Sequence, residues 1–192
     1  MLNRADVVIR REVDSAQLFP LTQQQAASEN GLMLNHDYMD VRGCTITDAR
    51  DALAEEAELL GELEASGWSD DKADELMDEA YETSAFIFSF DIGMAGAVFA
   101  LSAAGAAPIS SCNGGVIDGE RHASDVPHVL FSATPDALPA IERAAVAADA
   151  GLINNDGHVE LFADWLPKLH SFAEHLLIEL EGRAPLAEPM PL

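Results

Sequence analysis

Lysine is nearly missing from this chain. Lys72 and Lys168 are the two that occur, and the basic residues number 10 against 34 acidic ones. At a net charge of −24 the molecule repels phosphate backbones, so direct binding of DNA or RNA is not expected. Cysteine is equally scarce. Cys44 and Cys112 stand alone, with no Cys-x-x-Cys, which excludes a disulfide framework and leaves Cys112 a free thiol. The run MLNRADVVIRREVD carries arginines but no apolar stretch of signal-peptide length, and a cytoplasmic protein is the expectation. There is no Walker loop, no Gly-x-Gly-x-x-Gly after a strand and no Gly-x-Ser-x-Gly elbow. No cofactor is therefore expected.

One segment touches the length of a membrane span: Ile92–Ile109 runs 18 residues without a charge. It is mostly Ala, Gly and Ser, it holds Pro108, and no Lys or Arg cluster flanks it. It reads as a buried helix running into a buried strand, with no membrane partner.

What the chain has in excess is acid, and the acid is concentrated. Between Asp48 and Glu82, 14 carboxylates face Arg50 and Lys72, so half of the net charge lies in 35 residues. The apolar spacing organises this region into an antiparallel helix pair. The first helix, with Thr47 as its cap, repeats Ala49, Leu53, Leu60 and Leu63 and stops at Gly67. The second has Ser69 as its cap between the staple residues Trp68 and Ala73, and repeats Ala73, Leu76, Met77, Ala80 and Tyr81. Asp71, Asp74, Glu75, Asp78, Glu79 and Glu82 occupy its remaining faces and stay in water. Residues 1–83 thus read as a helical extension, which also holds a short edge strand in Asp6–Val13 and a helix from Thr22 to Gly31.

The pattern changes at residue 84. FIFSFDI alternates as a strand, Met94–Ala104 is a small-residue helix, and APISSC and PHVLFSA are two further strands. TPDALPAIERAAVAADAG is a helix ended by Gly151, and GLINNDGHVELFA is a last strand or a hairpin turning at Asn155-Asp156-Gly157. A final helix, with Asp164 as cap and Gly182 as stop, carries the stripe Leu166, Leu169, Phe172, Ala173, Leu176, Leu177 and Leu180. The order β-α-β-β-α-β-α over 84–182 predicts an α+β fold, a ferredoxin-like split βαβ sandwich. Its features are a four-stranded antiparallel sheet, the acidic hairpin ahead of it, an extra C-terminal helix and a flexible tail over 183–192.

The chemically pointed stretch is PISSCNGGVIDGERH. Ser110, Ser111 and Cys112 end a strand, and Asn113, Gly114 and Gly115 open a loop whose amides can converge on an anion. His122 and His128 lie on or near the same loop. Three readings stay open. Cys112 is a packing residue beside an ordinary turn, or the loop binds a small or peptidic ligand. In the third, Cys112 is a nucleophile with His122 as base and the glycine amides as oxyanion donors. Cys112, His122 and His128 have the spacing of no common zinc motif, and His170 with Glu174 is not a zincin helix, so no metal is expected. The run SSCNGG resembles the Ser-Ser-Cys-x-Gly run of the tRNA wybutosine-synthesis methyltransferases, with Gly115 where that family has arginine. The likeness spans six residues and carries over no residue roles.

Charge and pattern together point to binding rather than turnover. The expectation is an interaction or inhibitory protein that presents the carboxylates of its second helix to a basic protein partner. The alternative is a small enzyme or ligand sensor built on Cys112 and His122.

Overall fold

In a computed structural model of the chain, residues 4–19, 41, 43–87, 90–117, 120–121 and 124–182 are described, those at 116–117 and 120–121 by their backbone alone. The helix expected from Thr22 to Gly31 lies outside the described residues, as does the tail beyond 182.

Helix α1 (Ile46–Ala65) starts at a capping box. The Thr45 hydroxyl accepts the Asp48 N–H, and the Asp48 carboxylate accepts the Thr45 N–H at 2.8 Å. Thr47, the expected cap, is inside the helix: it has Arg50 three residues on, whereas Thr45 has the acceptor Asp48 there. Gly67 (φ 72°) and Trp68 (φ 61°) turn the chain into α2 (Asp70–Thr83). Trp68 packs edge-on against Trp165 with ring centroids 5.4 Å apart, and the Arg4 guanidinium sits over the Trp165 ring at 4.7 Å.

The expected strand over 86–92 does not form among its described residues. The Ser84 hydroxyl accepts the amides of Phe86 (3.0 Å) and Ile87 (2.7 Å), which closes a turn where a strand would have to begin. Phe86 and Phe90 then clasp Phe99 edge-on at 5.5 and 6.1 Å. Phe86 and Phe90 thus clamp the helix that carries Phe99.

That helix is α3 (Ala95–Ala103), buried through most of its length, and it leads into β2 (Ala107–Cys112). Then come a two-stranded finger, β3 (Val116–Ile117) and β4 (Glu120–Arg121), and strand β5 (His128–Ser132). After α4 (Leu138–Ala147), β6 (Gly151–Asn155) and β7 (His158–Phe162) form a hairpin, the second of the two readings of that stretch, turning at Asp156-Gly157. The last helix, α5 (Pro167–Glu181), begins at its proline. Asp164 does not cap it but pairs with Lys168 at 2.7 Å.

The fold is mixed α+β, but the sheet is not ferredoxin-like. Among the described residues it has five strands in the order β1-β6-β7-β5-β2, with β1 (Arg11–Glu12) parallel to β6 and the other neighbours antiparallel. Among the described residues of 84–94 no strand leads into α3, so the first member expected of the split βαβ unit is not seen there, and the N-terminal segment supplies an edge instead. Val129, Phe131, Leu152, Val159 and Leu161 face one buried cluster shared with helices α1, α3, α4 and α5. Leu53, Leu60 and Leu63 of α1 belong to that cluster, as do Leu169, Phe172, Leu176 and Leu177 of α5. No helix among the described residues is long and apolar enough to cross a membrane.

Candidate functional site

Two regions gather the residues that the sequence singled out: the loop after β2 and the outer face of α2. In β2, Ser110 pairs with Leu130, Ser111 with Val129 and Cys112 with His128. Cross-strand partners share a face of the sheet. Ser110, Cys112 and His128 therefore lie on the face away from the helices, and Ser111 lies on the helix side.

The loop closes on itself. Asn113 is buried, and its side chain accepts the Gly115 N–H (2.9 Å) while donating to the Ile92 carbonyl (3.3 Å). Its own N–H donates to the Asp91 carboxylate at 3.1 Å. The Gly114 N–H donates to Cys112 Sγ at 3.4 Å. Gly114 has φ 70°, and a Cβ there would stand 2.9 Å from the Val126 carbonyl carbon, so the turn requires glycine. Both glycine amides are thus engaged within the loop, whereas an oxyanion hole needs donors aimed at the space where a charge develops.

Burial raises the Cys112 pKa, the Asp91 charge adds to it, and the backbone bonds from Gly114 and Ser124 only partly oppose them. The sulfur is a thiol at neutral pH, not the thiolate a nucleophile requires. His128 Nδ1 donates to the Val126 carbonyl at 3.3 Å. His122 lies outside the described residues. The structure accordingly gathers Ser110, Cys112, Asn113, Gly114, Gly115 and His128 at one end of the sheet. Among the described residues no group of three or more His, Cys, Asp or Glu side chains is placed to hold a metal ion.

On α2 the packing stripe is Ala73, Leu76 and Ala80. Asp71, Glu75, Asp78, Glu79 and Glu82 are exposed, and Asp74 is half-exposed. Tyr81, expected on the buried stripe, is 71% exposed and stands among these carboxylates. Lys72 is held between Glu62 (3.3 Å) and Glu75 (3.0 Å). Other cations are likewise engaged elsewhere: Arg50 with Glu181, Arg143 with Glu179, Arg11 with Asp149, and Lys168 with Asp149 and Asp164. Among the described residues no cation pairs with Asp71, Asp74, Asp78, Glu79 or Glu82.

Two polar pairs escaped the sequence reading. Ser132, buried in β5, hydrogen-bonds His158 Nδ1 at 2.8 Å, too enclosed for the hydroxyl to attack a substrate. Glu56 is fully buried, and its carboxylate accepts His170 Nδ1–H at 2.9 Å and the Gly96 N–H at 3.0 Å. His170 is therefore committed to a buried partner rather than to solvent. The signal was present in the sequence: Glu56 falls on the apolar stripe, three residues after Leu53 and four before Leu60. A surface groove of about 520 Å³ beside β1 is lined by Arg10, Arg11, Glu12, Asp14 and Asn154 among others, with neither charge sign dominant.

Comparison with known protein families, with curated proteins and with solved structures finds no match to this chain.

Proposed function

We propose that this protein is a binding module whose α2 face docks a basic protein segment. The observation that carries the reading is the exposed Tyr81 within a face where Asp71, Asp74, Asp78, Glu79 and Glu82 pair with no described cation. An exposed aromatic ring supplies an apolar anchor and a surface for a guanidinium, and tyrosine is enriched where binding energy concentrates. The surrounding carboxylates speed encounter with a cationic partner and disfavour acidic ones. The loop after β2 supports catalysis poorly, because its amides and its thiol are engaged internally.

The test is binding of a fluorescent Arg/Lys-rich peptide, measured across a range of ionic strength. Asp71→Asn, Asp74→Asn, Asp78→Asn and Glu82→Gln together should weaken it, and Tyr81→Ala should weaken it further. At about 0.2–1 kcal/mol per exposed ion pair, the four changes lower affinity roughly fourfold or more. Neutralising the exposed Asp6, Glu12, Asp136 and Glu142 removes the same charge elsewhere. If that control weakens binding equally, the attraction is diffuse and α2 is not the docking face.

A further inference from the structure

Glu56 is a costly residue in its position. An ionised carboxylate with no exposed surface must be compensated, and a well-packed apolar pair would hold three helices together as firmly. Its two partners come from different elements: Gly96 from the first turn of α3 and His170 from α5. Glycine at position 96 lets α3 come this close without displacing either neighbour. A Cβ there would meet Glu56 Oε2 at 2.5 Å and Leu53 Cδ1 at 2.7 Å. The α3 N-terminus offers partial positive charge to the carboxylate, and His170 offers a full charge when protonated.

We propose that the Glu56–His170 contact is a proton-dependent clasp: imidazolium at position 170 locks α1 to α3 and α5, and its deprotonation loosens α1 on the core. The charged groups facing His170 are Glu56 from α1 and Glu174 from its own helix; α3 has no ionisable side chain. Arg50 on α1 is drawn to Glu181 and Glu174. Burial pulls the His170 pKa down, but the hydrogen bond and charge of Glu56, with Glu174 adding, carry it above its usual value. A raised histidine pKa contributes stability that is fully present below the unfolded value of about 6.5. That contribution disappears as the pH rises through the folded value. The neutral ring still donates from Nδ1, so the contact weakens without breaking. Because α1 carries the turn into α2, the clasp sets how firmly the acidic helix pair is anchored, whether or not that pair binds a partner.

Hydrogen exchange on the full chain between about pH 5.5 and 8 tests this. After correction for intrinsic exchange, α1 amides should lose more protection than those of β5 and β7 as the pH rises, by up to about tenfold per unit of pKa shift. His170→Gln keeps a donor without the charge and should abolish the difference, as should Glu56→Gln. Should either variant fail to fold, NMR titration of the His170 ring in the wild type decides alone. A midpoint above about 6.5 supports the clasp. A midpoint at or below that value overturns it, as does α1 protection that tracks the sheet at every pH.

Discussion

Two glycines inside helices should respond to alanine with opposite signs. Gly61 lies on the exposed side of α1, where an added Cβ would have nothing within 4 Å. Gly61→Ala removes backbone freedom from the unfolded chain without a clash, and stability should rise by roughly 0.5–1 kcal/mol. Gly96 sits in the first turn of α3, where alanine again favours the helix by up to about 1 kcal/mol. There the added methyl meets the Glu56 carboxylate and the Leu53 side chain at 2.5 and 2.7 Å. Both are ends of flexible chains, but both are buried, and the carboxylate is bonded on two sides. Overpacking costs roughly 1–3 kcal/mol, and displacing a buried hydrogen bond costs about 1–3 kcal/mol. Crowding should therefore win, with a net loss of roughly 1–5 kcal/mol for Gly96→Ala. Urea unfolding of the wild type and both variants, compared at equal m-values, reads the two signs directly. A Gly96→Ala protein as stable as the wild type, beside a stabilised Gly61→Ala, would falsify the close approach of α3 to Glu56.

The other expectations are simpler. Leu176 is fully buried in the α5 stripe, so Leu176→Ala should cost roughly 2–5 kcal/mol in the same assay. A loss within error would place α5 outside the core. Neither thiol should be reactive: burial and Asp48 push the Cys44 pKa up to about 12, and burial and Asp91 raise that of Cys112. A neutral alkylating reagent should modify Cys112 no faster than free cysteine at neutral pH, with no change in His122→Ala. Rapid labelling that slows in that variant would reinstate the nucleophile reading.

Helices were readable from the sequence wherever one apolar stripe had one partner. Leu53, Leu60 and Leu63, and Leu169 through Leu177, pack as their spacing implies. The β6–β7 hairpin was one of two readings of its stretch, and the positive φ of Asp156 and Gly157 decides for it. Two misreadings, the strand over 86–92 and the Thr47 cap, share a cause, namely local hydrogen bonds that compete with a periodic pattern. Ser84 captures the amides of Phe86 and Ile87 in a turn where a strand would begin, while Thr45 outcompetes Thr47 through Asp48. Sheet order was beyond reach, since strand alternation is blind to which edge β1 joins. The loop's residues were recognisable, but not the direction of their amides: Asn113 turns inward, and no pattern of residue types reports that. Tyr81 misled because an aromatic at helical spacing satisfies the stripe template whether or not a partner covers it.

The Trp68–Trp165 contact makes the chain report on itself optically. These are its only two tryptophans, and their rings touch where the α1–α2 turn meets the approach to α5. All indole emission thus arises from one junction between residues 97 positions apart in sequence, while far-ultraviolet dichroism averages over every helix and strand. Coincident unfolding curves from the two signals mean that the acidic helix pair and the sheet melt as one cooperative unit. An emission change that precedes the loss of helicity means that the junction opens first, and the acidic arm swings on α1 before the core gives way.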